Sequence, residues 1–205
     1  MPSASLNGID VYYERRGDGP PVLFLNGSGA TLASSGILLD VFAARCDVVA
    51  ADQRGLGRTE VPSDPYTMAD YANDAVALLD HVGWERCRVV GMSFGGMVAQ
   101  ELAVTVPERV ERLALLCTSP GGAMPSYPLH ELAALTADER APRYLPLLDT
   151  RFTPEWLETH ESDRNLVAMM AARVGGTKRP EVVRGELAQL EARRRHDVLD
   201  RLGAI

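Results

Sequence analysis

Lysine is nearly missing from this chain. Of 21 basic residues only Lys178 is not arginine, and 28 Asp and Glu leave a net charge of −7. Neutralising a phosphate backbone needs clustered positive charge, so this balance argues against nucleic acid as a partner. Long apolar runs are missing as well. The longest stretches, such as 113–117, fall far below the ~20 residues of a spanning helix, which argues against a membrane protein. The opening Met1-Pro2-Ser3-Ala4-Ser5 has neither the positive region nor the apolar core of an export signal. Cysteine is scarce: Cys46, Cys87 and Cys117 are odd in number, widely spaced and without a C-x-x-C pair. They read as three buried small hydrophobes in a reduced, cytoplasmic protein.

What is present is ordinary globular material. With 205 residues, 46% apolar and 24% charged, the chain can bury a core and falls between one and two domains. Asn7-Gly8 marks a hairpin turn, followed by alternation of Ile9, Val11 and Tyr13 with Asp10, Tyr12 and Glu14, the period of a half-buried strand. Residues 21–25 are continuously apolar, as in a strand covered on both faces, and end in Asn26-Gly27-Ser28-Gly29. Residues 33–44 look helical, with Ile37, Leu38, Val41 and Phe42 on one stripe. Residues 48–51 form another short strand. Thr67 with Asp70 predicts a capped helix to about Val82, stopped by Gly83. A strand at 88–90, a helix to about Val106 and a buried strand at 113–117 follow. Strands alternating with helices predict a mostly parallel sheet with helices on both faces, an α/β architecture. From about His130 to Leu202 only helical periodicity remains, broken at Pro142, Pro146, Pro154, Gly175-Gly176 and Pro180.

One motif carries chemistry. Gly91-x-Ser93-x-Gly95 lies between an apolar strand and an amphipathic helix. A sharp turn there lifts the Ser93 hydroxyl off the sheet, and glycines two residues either side make room for the crowded backbone. The helix N-terminus behind it offers unpaired N–H groups to a developing oxyanion. Rival glycine motifs fit worse: position 93 is Ser where a dinucleotide fingerprint wants Gly, and Lys178 stands in no phosphate loop. The 26–29 loop ends the third strand, so the backbone N–H of Ser28 pairs with that of Phe94 as an oxyanion hole. Asp52 opens the glycine-bearing loop Asp52-Gln53-Arg54-Gly55-Leu56-Gly57-Arg58-Thr59 and reads as its structural brace.

On these residues the chain resembles the α/β-hydrolase superfamily over its whole length, most of all small bacterial enzymes related to 3-oxoadipate enol-lactonases, esterases and cofactor-free perhydrolases. The resemblance implies an α/β-hydrolase fold with a helical cap. It also implies a serine hydrolase with Ser93 as nucleophile and Ser28 and Phe94 as backbone oxyanion donors. A small carboxylic ester or lactone is the implied substrate, with no cofactor and no metal. Serine at 93 stands against the dehalogenase and epoxide hydrolase branches, which place a carboxylate there. Asn26 replaces the histidine usual in H-G-x-G. The expected division is 1–120 for the N-terminal part of the core, 121–197 for the cap, and 198–205 for the start of a return to the core. Residues such as Met124, Trp156, Met169 or Met170 would wall an acyl pocket in such a cap, and are equally what any helical core contains.

The family order is Ser, then Asp or Glu, then His, and neither partner is identifiable here. The chain is therefore expected to lack its C-terminal strands. His81 reads as a helix C-terminal residue, and His130 and His160 as cap residues. His196 with Asp200 reads as a surface pair, and Arg193-Arg194-Arg195 as a solvated helix face. Without a following strand, 113–117 becomes an apolar sheet edge, from which poor solubility or a homo-oligomer is expected. Two other readings stay open: a catalytically silent module of the same fold, and a nucleotide- or redox-binding protein whose glycine loop mimics the elbow.

Overall fold

The chain enters as a hairpin, β1 (Ser3–Leu6) and β2 (Ile9–Arg16), turned at Asn7-Gly8 as expected. β3 (Pro21–Leu25), α1 (Leu32–Ala43), β4 (Asp47–Ala51), α2 (Met68–His81), β5 (Cys87–Met92), α3 (Phe94–Thr105) and β6 (Val110–Leu116) follow. The computed structural model describes residues 3–133, 135–174 and 179–205, with the backbone alone at 137, 138, 141 and 170–174. Among them the sheet runs β1-β2-β4-β3-β5-β6, with β4, β3, β5 and β6 parallel and β1 and β2 antiparallel.

The continuous apolar strands are buried on both faces because helices cover both. Alternation sends Val22, Phe24, Val48 and Ala50 to one face, against Leu32 and Leu39 of α1. Leu23, Leu25, Val49 and Val89 go to the other face, against Leu78 and Leu79 of α2 and Met97 and Leu102 of α3. Each fully buried Leu or Phe of this kind contributes roughly 1.5–3 kcal/mol by area removed from water. The capping box predicted for α2 is present: the Thr67 N–H donates to Asp70 Oδ2 at 2.7 Å, and the Asp70 N–H donates to Thr67 Oγ1 at 3.4 Å.

Several expectations need correction. The apolar stripe of α1 is not its buried face. Ile37 is 85% and Val41 66% exposed, while Leu32 and Leu39 are buried and Leu38 and Phe42 only partly so. Tyr12 is buried rather than exposed, because Arg58 from the loop after β4 covers its ring at 3.7 Å. The strand at 113–117 is not buried. Residues 113–116 belong to β6, at the sheet edge, where Leu115 and Leu116 are exposed, and Cys117 lies past its end. Of the cysteines only Cys87 is buried; Cys46 is half-buried and Cys117 exposed.

The chain divides into two compact units, Met1–Tyr127 with Pro180–Ile205, and Pro128–Arg179. The first takes in α8 (Pro180–Arg194) and a 3-10 turn, Leu199–Ala204. The second is helical: α4 (Leu129–Ala133), α5 (Ala137–Leu148), α6 (Pro154–Thr159) and α7 (Glu161–Val174). Pro142 and Pro146, expected to break this segment, lie inside α5, whose start is set by a Thr136–Glu139 capping box. Gly175, Gly176 and Lys178 lie outside the described residues. No helix among the described residues is long and apolar enough to cross a membrane.

Candidate active site

Three loops leave the C-terminal ends of neighbouring parallel strands β4, β3 and β5, the end of an α/β sheet where ligands bind. The one after β5 is the sharpest. Ser93 has φ +52° and ψ −113° between β5 and α3, a left-handed backbone that costs a non-glycine residue about 1–3 kcal/mol. The surrounding structure over-determines it. The Ser93 N–H donates to the Leu116 carbonyl of β6 at 2.8 Å, and its own carbonyl accepts from Thr118 Oγ1 at 2.8 Å and from the Gly96 N–H at 3.0 Å. The side chain of Ser93 is half-buried.

The flanking glycines are required by close approach. A Cβ on Gly91 would stand 2.5 Å from the Gly95 carbonyl oxygen and 2.8 Å from Ala99 Cβ. One on Gly95 would overlap the Leu25 carbonyl and lie 2.6 Å from that of Asn26. Gly95 thus lets the start of α3 sit on the end of β3, which brings the 26–29 loop to the elbow. A Cβ on Gly27 would be 3.6 Å from Ser93 Cβ. Phe94 is the first residue of α3, so its N–H has no intrahelical partner. Among the described residues neither this amide nor that of Ser28 donates to a protein acceptor. The Phe94 ring is fully buried, edge-on to Tyr71 at 4.9 Å.

The loop at 26–29 is held from several sides. Its Ala30 N–H returns to the Gly27 carbonyl at 3.2 Å. Ser35 Oγ stands 2.7 Å from Asn26 Oδ1, and Gln53 Nε2 donates to the Asn26 carbonyl at 2.6 Å. The Gly29 N–H donates to Gln189 Oε1 of α8 at 2.8 Å. Neither glutamine stood out in the sequence, where no local pattern marks a side chain that reaches a distant backbone group. Asn26 Nδ2, Ser28 Oγ, Gln53 Oε1 and Gln189 Nε2 are buried without a hydrogen-bond partner.

Asp52 is the brace that its position suggested. Its carboxylate accepts the Leu32 N–H at 2.6 Å and the Arg58 N–H at 2.9 Å, tying the entry of α1 to the loop after β4. That loop is anchored further by the buried two-pronged pair of Arg54 with Asp74, at 2.8 and 2.6 Å. Burial pushes the Asp74 carboxyl up despite its bonds from Arg54 and Asn7.

No histidine contact involves Ser93 among the described residues. His81 ends α2, as expected, 3.0 Å from Tyr13 Oη. His130 and His160 belong to the second unit, and His160 stacks on Trp156 at 3.5 Å. His196 is not a surface partner of Asp200. α8 ends at Arg194, so the helical spacing does not carry on, and His196 is 4% exposed with both ring nitrogens unpartnered. Burial pushes its imidazole down to about 4. The arginine run is not one solvated face either: Arg193 is buried and donates to the Tyr127 carbonyl at 2.7 Å, while Arg194 and Arg195 pair with Glu191. Of the expected pocket residues, Met124 and Met169 are exposed, Trp156 donates to Asp163 at 2.7 Å, and the Met170 side chain lies outside the description. No group of three or more His, Cys, Asp or Glu placed to hold a metal occurs among the described residues.

Comparison with known proteins agrees with this fold. Residues 20–180 match the family model described as alpha/beta hydrolase fold. A putative carbamate hydrolase, RutD, of Azorhizobium caulinodans is 34% identical over 116 residues, 57% of this chain and 44% of that protein. The chain therefore spans less than half the length of the curated relatives it matches first. Among solved structures, the enol-lactonase from Burkholderia xenovorans LB400 superposes with a TM-score of 0.74 at 24% identity, over 96% of this chain and 74% of that one, a likeness of fold. Est816, described as an N-acyl homoserine lactone degrading enzyme, has a TM-score of 0.66 at 25% identity, over 92% and 74%. Since the family match takes in every strand from β3 to β6 together with the Ser93 turn, the chain belongs to the α/β-hydrolase fold family.

Proposed function

We propose that this chain carries the nucleophile of a serine hydrolase that cleaves a small carboxylic ester or lactone. The observation that carries the reading is the backbone at Ser93. A strained left-handed serine between β5 and α3 is held against the 26–29 loop by glycines that admit no side chain. In this reading Ser93 Oγ attacks the acyl carbon, forming a C–O bond while the carbonyl π electrons move to oxygen. The Ser28 and Phe94 N–H groups stabilise that oxyanion in a site where fixed donors act more strongly than in water. Collapse breaks the bond to the leaving alkoxide, which takes up the proton that Ser93 gave to a general base. Water then hydrolyses the acyl-serine by the reverse sequence. Lactone chemistry is supported by the likeness to Est816, an N-acyl homoserine lactone degrading enzyme, and hydrolysis by the likeness to RutD.

The experiment is covalent labelling with a fluorophosphonate. Labelling of the protein, mapped to Ser93 and lost in Ser93→Ala, is the expected result. Equal labelling of both proteins, or none of either, overturns the reading. A second reading, a silent binding module of the same fold, is favoured by one observation: the described histidines make no contact with Ser93. Saturable binding of a small ester without labelling or turnover is its signature.

A further inference from the structure

We infer that Gln189 is a positioning residue for the oxyanion loop, holding the Gly29 amide so that the neighbouring Ser28 amide faces Ser93. This rests on the reading of Ser93 as nucleophile. The loop between β3 and α1 is short, and two buried glutamines grip it at Asn26 and at Gly29. Gln53 Nε2 takes the Asn26 carbonyl at 2.6 Å, and Gln189 Oε1 takes the Gly29 N–H at 2.8 Å. Only Gly27 and Ser28 lie between. The Gly29 bond fixes the peptide plane that follows Ser28 and the Asn26 bond fixes the plane that precedes Gly27, so the plane between them, which carries the Ser28 N–H, is held from both sides.

The orientation of the Gln189 side chain is settled by chemistry. A backbone N–H can only donate, so the atom facing Gly29 is the carbonyl oxygen. The amide nitrogen is then left with no partner although the residue is 1% exposed. For packing alone this is a poor residue, because an unpartnered buried donor loses its hydration without a replacement bond. A methionine of similar volume would avoid that loss and still fill the space beside Ala192 and Ala188, which lie in or against the core. What the methionine could not do is accept the Gly29 N–H. The polar group therefore serves the loop, across 160 positions of sequence.

The test uses Gln189→Met, Gln189→Ala and Gln189→Glu. Amide exchange of Gly29 by NMR is expected to quicken at least tenfold in the first two, with the core amides of Leu23 and Val49 unchanged. Gln189→Glu keeps an acceptor and should keep the Gly29 protection. The rate of Ser93 labelling should fall at least tenfold in Gln189→Met and Gln189→Ala, and by less than threefold in Gln189→Glu. Unchanged Gly29 exchange, or faster exchange with unchanged labelling, overturns the inference, as does an equal loss in Gln189→Glu. Should Gln189→Met lose core protection as well, Gln189→Ala is read in its place, and loss of core protection in both makes Gln189 a folding residue and overturns the inference. Absence of labelling in the unmodified protein overturns the functional reading itself, and the positioning role with it. Normal labelling in every variant overturns the positioning role alone.

Discussion

Arg201 grips Glu101 with both arms of its guanidinium, Nη1 to Oε1 at 3.0 Å and Nη2 to Oε2 at 2.8 Å, across 100 positions of sequence. The pair ties the 3-10 turn Leu199–Ala204 to the middle of α3, the helix that begins at Phe94. Its two ends are unequal. The Glu101 side chain is 10% exposed and that of Arg201 is 48% exposed. Removing the arginine strands a buried carboxylate, whereas neutralising the glutamate leaves a guanidinium that water can solvate. Arg201→Ala is therefore expected to cost about 2–3 kcal/mol and Glu101→Gln about 1 kcal/mol or less. Urea midpoints measured on both variants check the order, and a larger loss in Glu101→Gln contradicts it.

His196 lies among these charges. Burial, the largest influence, and Arg201 oppose its protonation, while Glu101 on α3 and the adjacent Asp197 favour it. With an imidazole near 4 in the folded protein and 6.5 in the unfolded chain, the unfolded chain binds the proton first as pH falls. Stability should therefore be full above about pH 6.5 and decline toward pH 4. The whole loss is roughly 3 kcal/mol, at up to ~1.4 kcal/mol per pH unit. His196→Leu removes the titrating group, so its stability relative to the unmodified protein should rise steadily as pH falls through that window. Denaturation at pH 7.5, 6, 5 and 4.5 measures it, and parallel curves contradict the buried neutral imidazole.

His196 also shows where sequence reading stops. Its pairing with Asp200 assumed a helix continuing to 200, and α8 ends at Arg194. The chain there pairs instead with Gly121 through an antiparallel bridge at Asp197, a tertiary contact with no local signal. α1 fails for a related reason. Ile37 and Val41 are one turn apart and apolar, yet the arc that meets the sheet is set by Leu32 and Leu39. What could be read was what local chemistry dictates: the apolar strands β3 to β5, the capped start of α2, the Asp52 brace and the crowded glycines around Ser93. Gln53 and Gln189 could not be read, since a glutamine that reaches another loop looks like any other glutamine.

Strain at Ser93 makes a prediction opposite in sign for stability and for chemistry. Its φ of +52° is relieved by glycine, worth about 1–3 kcal/mol, less the ~0.5–1 kcal/mol of extra chain entropy glycine loses on folding. Ser93→Gly should gain roughly 1 kcal/mol while abolishing labelling. Ser93→Ala, which keeps a Cβ, should abolish labelling at nearly unchanged stability. Thermal melts of the three proteins decide this, and a destabilised Ser93→Gly shows that the turn is relaxed.

Gly95→Ala should be the most damaging single methyl group near the elbow. The atoms it meets are backbone carbonyls of Leu25 and Asn26, which cannot rotate aside as a side chain can. Overpacking of that kind costs about 1–3 kcal/mol, and here it forces β3 and α3 apart where the 26–29 loop sits. Loss of labelling with a lowered melting point is expected. A variant that folds and labels normally would show that the two elements can separate freely.

The edge of the sheet supplies the last expectation. Among the described residues β6 has one neighbour, the parallel β5, and Leu115 and Leu116 are 40% and 45% exposed on its two faces. An apolar edge strand with free backbone groups is a template for another strand, and natural edges are commonly blunted by lysine or a bulge. The 205-residue polypeptide should therefore self-associate as its concentration rises. Leu115→Lys places a charge beside the edge without touching the Ser93 turn, whose bond from β6 comes from the Leu116 carbonyl. Sedimentation velocity should show a concentration-dependent mass for the unmodified chain and a monomer for Leu115→Lys. A strictly monomeric unmodified chain, melting cooperatively, would mean that the edge is protected by the twist of β6 rather than by a neighbour.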